Sequence, residues 1–316
     1  MTTLESSPLP RLPARDPRGH KGTFGTVAVF GGCAHDDRHM LGAAALAATA
    51  ALRAGAGLAR LVMPAPILDA ALTICPSATG VPMPVDAAGR LVPHEASAVI
   101  DEQVRVCDAL VIGPGLGASE GARAASLRAV QQEHVPVIVD ADALNMLAEV
   151  PELTRDFRAA AVLTPHPGEF LRLAGSLGIA HDPTDASSRP RAAEALAQRL
   201  GCIVVLKGAG TIVSDGQRTW VNTSGHAALA TAGTGDVLAG LIAGLAAQFV
   251  AGPARGAPAR PLDLYDAARL GVFAHGLAGE AWASARRAAA GLLALELADE
   301  IPAVLDAMRR GDTPRP

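Results

Sequence analysis

Thr231-Ala232-Gly233-Thr234-Gly235-Asp236-Val237-Leu238-Ala239-Gly240 opens an apolar run, Val237–Val250, that reads as a buried helix. Two glycines and a small hydroxyl residue stand just ahead of that run. The backbone N–H groups of Gly233, Thr234 and Gly235, with those of the first helical turn, would form an anion pocket. A carboxylate beside such a pocket repels the anion it would hold, so Asp236 points to chemistry. Its natural task is to take a proton from a hydroxyl that then attacks a phosphoryl group. The competing explanation is an ordinary helix start with Asp in the first turn. Gly-x-Gly-Asp before a small-residue helix is more specific than a glycine pair.

Outward from this stretch the chain alternates. Thr26–Gly31, Leu58–Met63, Asp108–Ile112, Pro136–Val139, Ala161–Leu163 and Ile203–Leu206 are short apolar runs that read as buried strands. Leu41–Arg53, Glu120–Glu133 and Asp142–Ala148 read as helices between them. Thr211–Ser214 and Thr219–Asn222, joined by Asp215-Gly216-Gln217, form a hairpin pattern. Helices then dominate: Val237–Val250, Leu262–Ala285 and Leu292–Leu305. Repeated βα units imply a mainly parallel central sheet with the hairpin as an antiparallel edge. Residues 19–311 read as a single domain with no boundary. Residues 1–18 and 312–316 read as poorly ordered, and His181–Arg189 and Gly252–Pro261 as surface loops.

Composition excludes several classes. A net charge of −4 without a basic run argues against a nucleic-acid surface, and aromatics at 3% offer few stacking platforms. No apolar run reaches the roughly 20 residues of a membrane span, and the start carries no secretory signal. The four cysteines, Cys33, Cys75, Cys107 and Cys202, lack metal-type spacing and read as buried thiols of a cytoplasmic protein. Of 27 basic residues only Lys21 and Lys207 are lysines, each followed by glycine beside a strand. That pattern suggests sites needing a compact ammonium rather than a planar fork.

Polar and glycine-rich segments recur at strand ends, where open α/β sheets bind ligands. Lys207-Gly208-Ala209-Gly210-Thr211 would let a phosphate approach the backbone, but lacks the spacing of a Walker loop. Gly113-Pro114-Gly115-Leu116-Gly117 lacks the full dinucleotide fingerprint and reads as backbone against which a substrate lies. His166 sits between two prolines with Glu169 three residues on, a stiffened loop that opens a helix and offers a substrate contact. Asp140 and Asp142 are weaker candidates for metal-bound water or substrate hydroxyls, since a strand-end Asp is commonly a cap. His20, His35, His39 and His275 read as surface or core residues.

The order His20-Lys21-Gly22, Gly31-Gly32, Gly42-Ala43-Ala44, Gly113–Gly117, Asp140–Asn145, Thr164–Glu169, Lys207–Thr211 and Thr231–Gly240 resembles the ADP-dependent NAD(P)H-hydrate dehydratases of the ribokinase-like superfamily. The resemblance runs from about His20 to Leu305. It implies a ribokinase-like three-layer α/β/α fold and a hydro-lyase acting in metabolite repair. Hydrated NADH or NADPH (the S epimer) would be dehydrated at the expense of ADP, giving AMP, phosphate and the reduced cofactor. The hydrate hydroxyl would be phosphorylated with Asp236 as base, and phosphate then eliminated. The correspondence assigns Ala43, Gly117, His166 and Asp236 to the hydrated cofactor. It assigns Lys207, Gly208, Ala209, Gly210, Thr211 and Gly235 to the adenine nucleotide. Mg2+ would bridge nucleotide phosphates, held near Glu169 through water. A homo-oligomer such as a tetramer, and a separate NAD(P)H-hydrate epimerase acting alongside, are expected partners; an epimerase domain has no room in this chain.

The sequence departs from the family pattern in Asn222–Asp236. Ala232 stands for a glycine, tolerable at negative φ, His226 stands for an asparagine, and a proline is missing. The segment Cys33–Met40 is unusually polar and would cover the substrate. Two other functions fit the same residues: an ATP-dependent vitamin or sugar kinase using Asp236, and a non-catalytic nucleotide sensor. A sensor gains nothing from a carboxylate beside phosphates.

Overall fold

The structure, a computed structural model, describes residues 4–5, 8–35, 38–250 and 261–312. Its frame is a nine-stranded sheet. The strands are β1 (Thr26–Phe30), β4 (Leu58–Pro64), β5 (Thr79–Met83), β6 (Ala109–Ile112), β7 (Val137–Val139), β8 (Ala161–Leu163), β9 (Ile203–Leu206), β10 (Ile212–Ser214) and β11 (Thr219–Val221). A separate two-stranded hairpin pairs β2 (Cys33–His35) with β3 (Arg38–Met40). The large sheet runs β11-β10-β9-β8-β7-β6-β1-β4-β5. Pairing is parallel from β5 through β9 and antiparallel across β10 and β11, as the alternating pattern and hairpin implied. The chain leaves β1 toward β5, then returns to the other side of β1 with β6. Strand order therefore reverses between β1 and β6, which opens a crevice at their carboxyl ends.

Helices cover both faces. One carries α1 (Gly42–Arg53), α2 (Ala65–Ile74), α9 (Thr234–Phe249), α10 (Leu264–Arg286) and α11 (Ala294–Arg310). The other carries α3 (Pro93–Val104), α4 (Glu120–Gln131), α5 (Asp142–Ala148), α6 (Leu153–Asp156), α7 (Pro167–Ser176) and α8 (Arg189–Leu200). β1 shows why both layers form. Val27 and Val29 join the first core and Ala28 and Phe30 the second, so a continuous apolar run buries both faces.

The close fit of α9 on α1 places the site. A Cβ on Gly240 would lie 2.0 Å from the Ala47 carbonyl oxygen, and one on Gly244 2.7 Å from that of Ala51. Only glycine permits this approach, which brings the start of α9 to the sheet's carboxyl edge.

Several expectations need correction. α9 begins at Thr234 rather than Val237, so Gly235 and Asp236 lie in its first turn. Arg189 starts α8 instead of ending a loop, with Pro190 at an N-terminal helix position where its missing N–H does no harm. The start of the chain, where described, is packed rather than loose. Leu12 is buried, Arg15 donates to the Gly55 carbonyl and to Gln248, and the Glu5 amide donates to Thr219 of the edge strand. Residues 251–260 and 313–316 lie outside the described residues.

Candidate active site

The parallel strands deliver their polar ends to one place. Asp140 follows β7, Thr164 follows β8 and Lys207 follows β9. Asp140 is only 1% exposed. Its Oδ1 accepts from the Lys207 ammonium at 2.7 Å and from the Thr164 hydroxyl at 2.7 Å. Glu169, in the first turn of α7, lies 3.8 Å from the same ammonium. His166 caps that helix: its Nδ1 accepts from the amides of Gly168 and Glu169, and Glu169 Oε2 accepts from the His166 amide. Nδ1 therefore carries no proton, and Nε2 faces Glu169 Oε1 at 3.4 Å.

The start of α9 closes the cluster. Gly233 is its N-cap at φ 89, and no side chain caps the helix. The amides of its first turn are thus aimed outward with no side-chain acceptor. Gly235 lies against the ion pair, since a Cβ there would be 3.5 Å from Lys207 Nζ and 4.0 Å from Asp140 Oδ2. Ala232 keeps a negative φ, so its replacement of glycine introduces no strain.

Acidic groups outnumber cations here. Burial, then the Asp140 charge, push the Asp236 carboxyl up to about 7, while Lys207 pulls it partly back. Burial also raises Glu169, against the pull of Lys207. Burial works against the Lys207 ammonium, yet Asp140 and Glu169 outweigh it and the net shift is upward. A carboxyl balanced near neutrality, in a crevice, is suited to accept a proton.

Beside this cluster lies a cavity of about 580 Å³. Lys207, Gly208, Ala209, Gly210, Thr211 and Gly235, all singled out from the sequence, line it. So do Asn222–His226, the start of the run that departs from the family pattern on the nucleotide side, and Leu229, His275 and Gly276, which sequence reasoning did not assign to a site. A lone His-Gly pair in the middle of α10 carries no motif, and only the fold brings it here. His275, read from the sequence as a surface or core residue, is half-buried and faces the cavity. Burial drives its imidazole down to about 4, and Nε2 hydrogen-bonds the Thr234 carbonyl at 2.9 Å. His226 accepts from the Ala228 amide through Nδ1 and so keeps a capping role in place of asparagine.

Ala43 and Gly117 meet through the loop 113–117. A Cβ on Gly115 would touch that of Ala43 at 3.4 Å, and the Gly117 amide donates to Asp142 Oδ2 at 2.8 Å. Gly117 can therefore offer a ligand its carbonyl but not its amide. The polar segment Cys33–Met40 forms the β2–β3 hairpin over this loop, with Met40 against Gly115 and with Cys33 and the buried His35 against Gly117. Asp36 and Asp37 lie outside the described residues. His166 reaches the acid cluster through Glu169. Lys21 does not belong to the site: it sits in an exposed turn before β1, at the opposite end of that strand.

Among the described residues no group of three or more His, Cys, Asp or Glu side chains could hold a metal directly. The oxygen donors present fit Mg2+ bound mainly by phosphates and water, because Glu169 and Asp140 already accept from Lys207 or from backbone. No helix of the described residues is long and apolar enough to cross a membrane.

A family model for NAD(P)H-hydrate dehydratases matches residues 27–303. An ADP-dependent (S)-NAD(P)H-hydrate dehydratase of Xanthomonas campestris is 36% identical over 98% of both chains. A bifunctional NAD(P)H-hydrate repair enzyme of Moorella thermoacetica is 36% identical over 93% of this chain, which spans 52% of that relative. The chain thus spans about half the length of such bifunctional relatives. The crystal structure of an ADP/ATP-dependent NAD(P)H-hydrate dehydratase from Bacillus subtilis, grown with ATP and Mg2+, superposes with a TM-score of 0.73 at 32% identity, covering 94% of this chain and 95% of that one.

Proposed function

The chain belongs to the NAD(P)H-hydrate dehydratase family, with its ribokinase-like fold, and from that membership we propose that it is a hydro-lyase that restores hydrated NADH or NADPH at the expense of ADP. The observation that carries the reading is Asp236. Its carboxyl is balanced near neutrality in the first turn of α9, next to uncapped amides and a cavity that can seat a nucleotide. The ADP preference is supported by the names of the Xanthomonas and Neisseria relatives.

The adenine nucleotide occupies the cavity along Lys207–Thr211 with its phosphates toward Gly235. The hydrated nicotinamide lies over Ala43, Gly117 and His166, its hydroxyl at Asp236. Asp236 takes the hydroxyl proton as the oxygen attacks the terminal phosphorus of ADP, and AMP leaves. Amides of Gly233, Thr234 and Gly235 stabilise charge on the phosphoryl group in flight. The phosphorylated hydrate then loses phosphate from one ring carbon and a proton from its neighbour, passed to solvent, as the ring double bond forms again. Mg2+, held near Glu169 through water, would neutralise phosphate charge when bound.

The test is spectroscopic. Hydrated NADH is supplied with ADP, with ATP or with neither, and reduced-nicotinamide absorbance is followed. Recovery that needs ADP and releases AMP and phosphate supports the reading. Failure of absorbance to return, in protein that binds nucleotide, refutes it.

A further inference from the structure

Arg189, at the start of α8, lies behind the nucleotide loop and is only 9% exposed. Its guanidinium donates to the carbonyls of Leu206 at 3.1 Å and Lys207 at 3.2 Å. It packs on Gly208, where a Cβ would lie 2.6 Å from one of its terminal nitrogens. Gly208 has φ +143 and lines the cavity, so side chain and loop conformation fit only together. Arg189 has no carboxylate partner among the described residues, its Nε has no hydrogen-bond partner, and burial alone pushes its pKa down. A buried cation without a counter-ion is costly unless an anion completes it.

The neighbouring charges make that arrangement meaningful. Lys207, the obvious phosphate partner, already faces Asp140 at 2.7 Å and Glu169 at 3.8 Å. Its ammonium stands among three carboxyl groups, those of Asp140, Glu169 and Asp236. Little of its charge is left for a nucleotide. The Arg189 charge is uncommitted and sits one peptide behind the cavity wall.

We propose that Arg189 is a positioning residue of the nucleotide site. It pins the Leu206 and Lys207 carbonyls, so that Gly208 can hold its conformation, and supplies the uncompensated positive charge that draws nucleotide phosphates to the 207–211 loop. This rests on the nucleotide reading of the cavity. Both bonds leave one terminal nitrogen of the guanidinium, so a lysine ammonium with its three donors can make them too.

Calorimetric titration of Mg-ADP into the wild type, Arg189→Gln and Arg189→Lys tests it, with thermal unfolding run on each. Glutamine keeps an N–H donor for the carbonyls but removes the charge, and lysine keeps the charge. Arg189→Gln should bind Mg-ADP roughly tenfold more weakly, the scale of one unit charge at a partly screened site. The deficit should shrink as salt is raised. Arg189→Lys should stay within about threefold of the wild type, and in turnover Arg189→Gln should raise KM for ADP while kcat holds. Wild-type affinity in Arg189→Gln overturns the proposal. So does equal, salt-insensitive weakening in both variants, or a tenfold loss in folded Arg189→Lys if Arg189→Gln does not fold. If the wild type binds no Mg-ADP, the nucleotide reading itself fails and the proposal goes with it.

Discussion

Asp236→Asn should lose turnover and gain stability at once. The Asp236 carboxyl is pushed up to about 7 by burial and the Asp140 charge, against about 3.9 for an ordinary aspartate. Ionising it is therefore easier in the unfolded chain than in the folded one. Stability is fully present below about pH 4, where the group is protonated in both states. It is lost as pH rises toward 7, and the loss is complete above that. About three pKa units at 1.36 kcal/mol each give a ceiling of ~4 kcal/mol. Asparagine cannot ionise, so the variant escapes this penalty. At about 2 °C per kcal/mol for a chain of this size, its melting temperature should exceed that of the wild type by up to ~8 °C at pH 8 and by little at pH 4. Its rate should fall ~10²–10⁴-fold. In the wild type, kcat/KM should drop about tenfold per pH unit below pH 7, because that ratio reports the free enzyme's base. Thermal scans from pH 4 to 9 and initial rates across the same range provide the check. A melting difference that does not change with pH would refute the burial argument. Turnover within tenfold of the wild type would refute the base assignment.

Gly235→Ala adds a methyl 3.5 Å from the Lys207 ammonium on a helical backbone, so folding should be preserved or slightly improved while nucleotide KM rises several-fold; an unchanged KM would show that phosphates do not pass there. Gly240→Ala drives a methyl into the Ala47 carbonyl at 2.0 Å, and chemical denaturation should show a loss of ~1–3 kcal/mol as α9 shifts on α1. Thr164→Val removes a 2.7 Å hydrogen bond to the buried Asp140 carboxylate, and the same measurement should show a loss of ~1.5–3 kcal/mol.

What was legible in the sequence was local. The strands β1, β6, β7, β8 and β9 announce themselves because a parallel strand buried on both faces must be continuously apolar. β5 did not, since Pro82 interrupts it; the sheet tolerates that proline because β5 is an edge strand. α8 hid behind Ser187-Ser188-Arg189-Pro190, which punctuates like a loop but starts a helix. At the site, the Gly-Thr-Gly-Asp turn and the Lys-Gly-Ala-Gly-Thr loop each carry their chemistry in adjacent residues. Asp140 and Lys207 are 67 positions apart, and nothing in either neighbourhood says that β7 and β9 place them 2.7 Å from each other. His275 and Arg189 were silent for the same reason. Their positions follow from helix packing, which no short window records.

The acid surplus of the site and the reactivity of Asp236 are two sides of one arrangement. A lone ammonium among carboxylates cannot by itself attract a nucleotide diphosphate. Attraction must come from backbone amides at the start of α9, from a cation that travels with the phosphates, and from positive charge behind the loop. Burial, and then the same carboxylates, hold the proton on Asp236 until near neutral pH, and make it a far better acceptor than an ordinary aspartate. Spreading more arginine through the cluster would help the nucleotide bind but would lower the Asp236 pKa and weaken the base. Lys207 meets both demands because its compact ammonium bonds Asp140 while leaving Asp236 only partly compensated. In a chain that otherwise takes its positive charge almost entirely from arginine, a lysine at this position is therefore explained by the chemistry next to it.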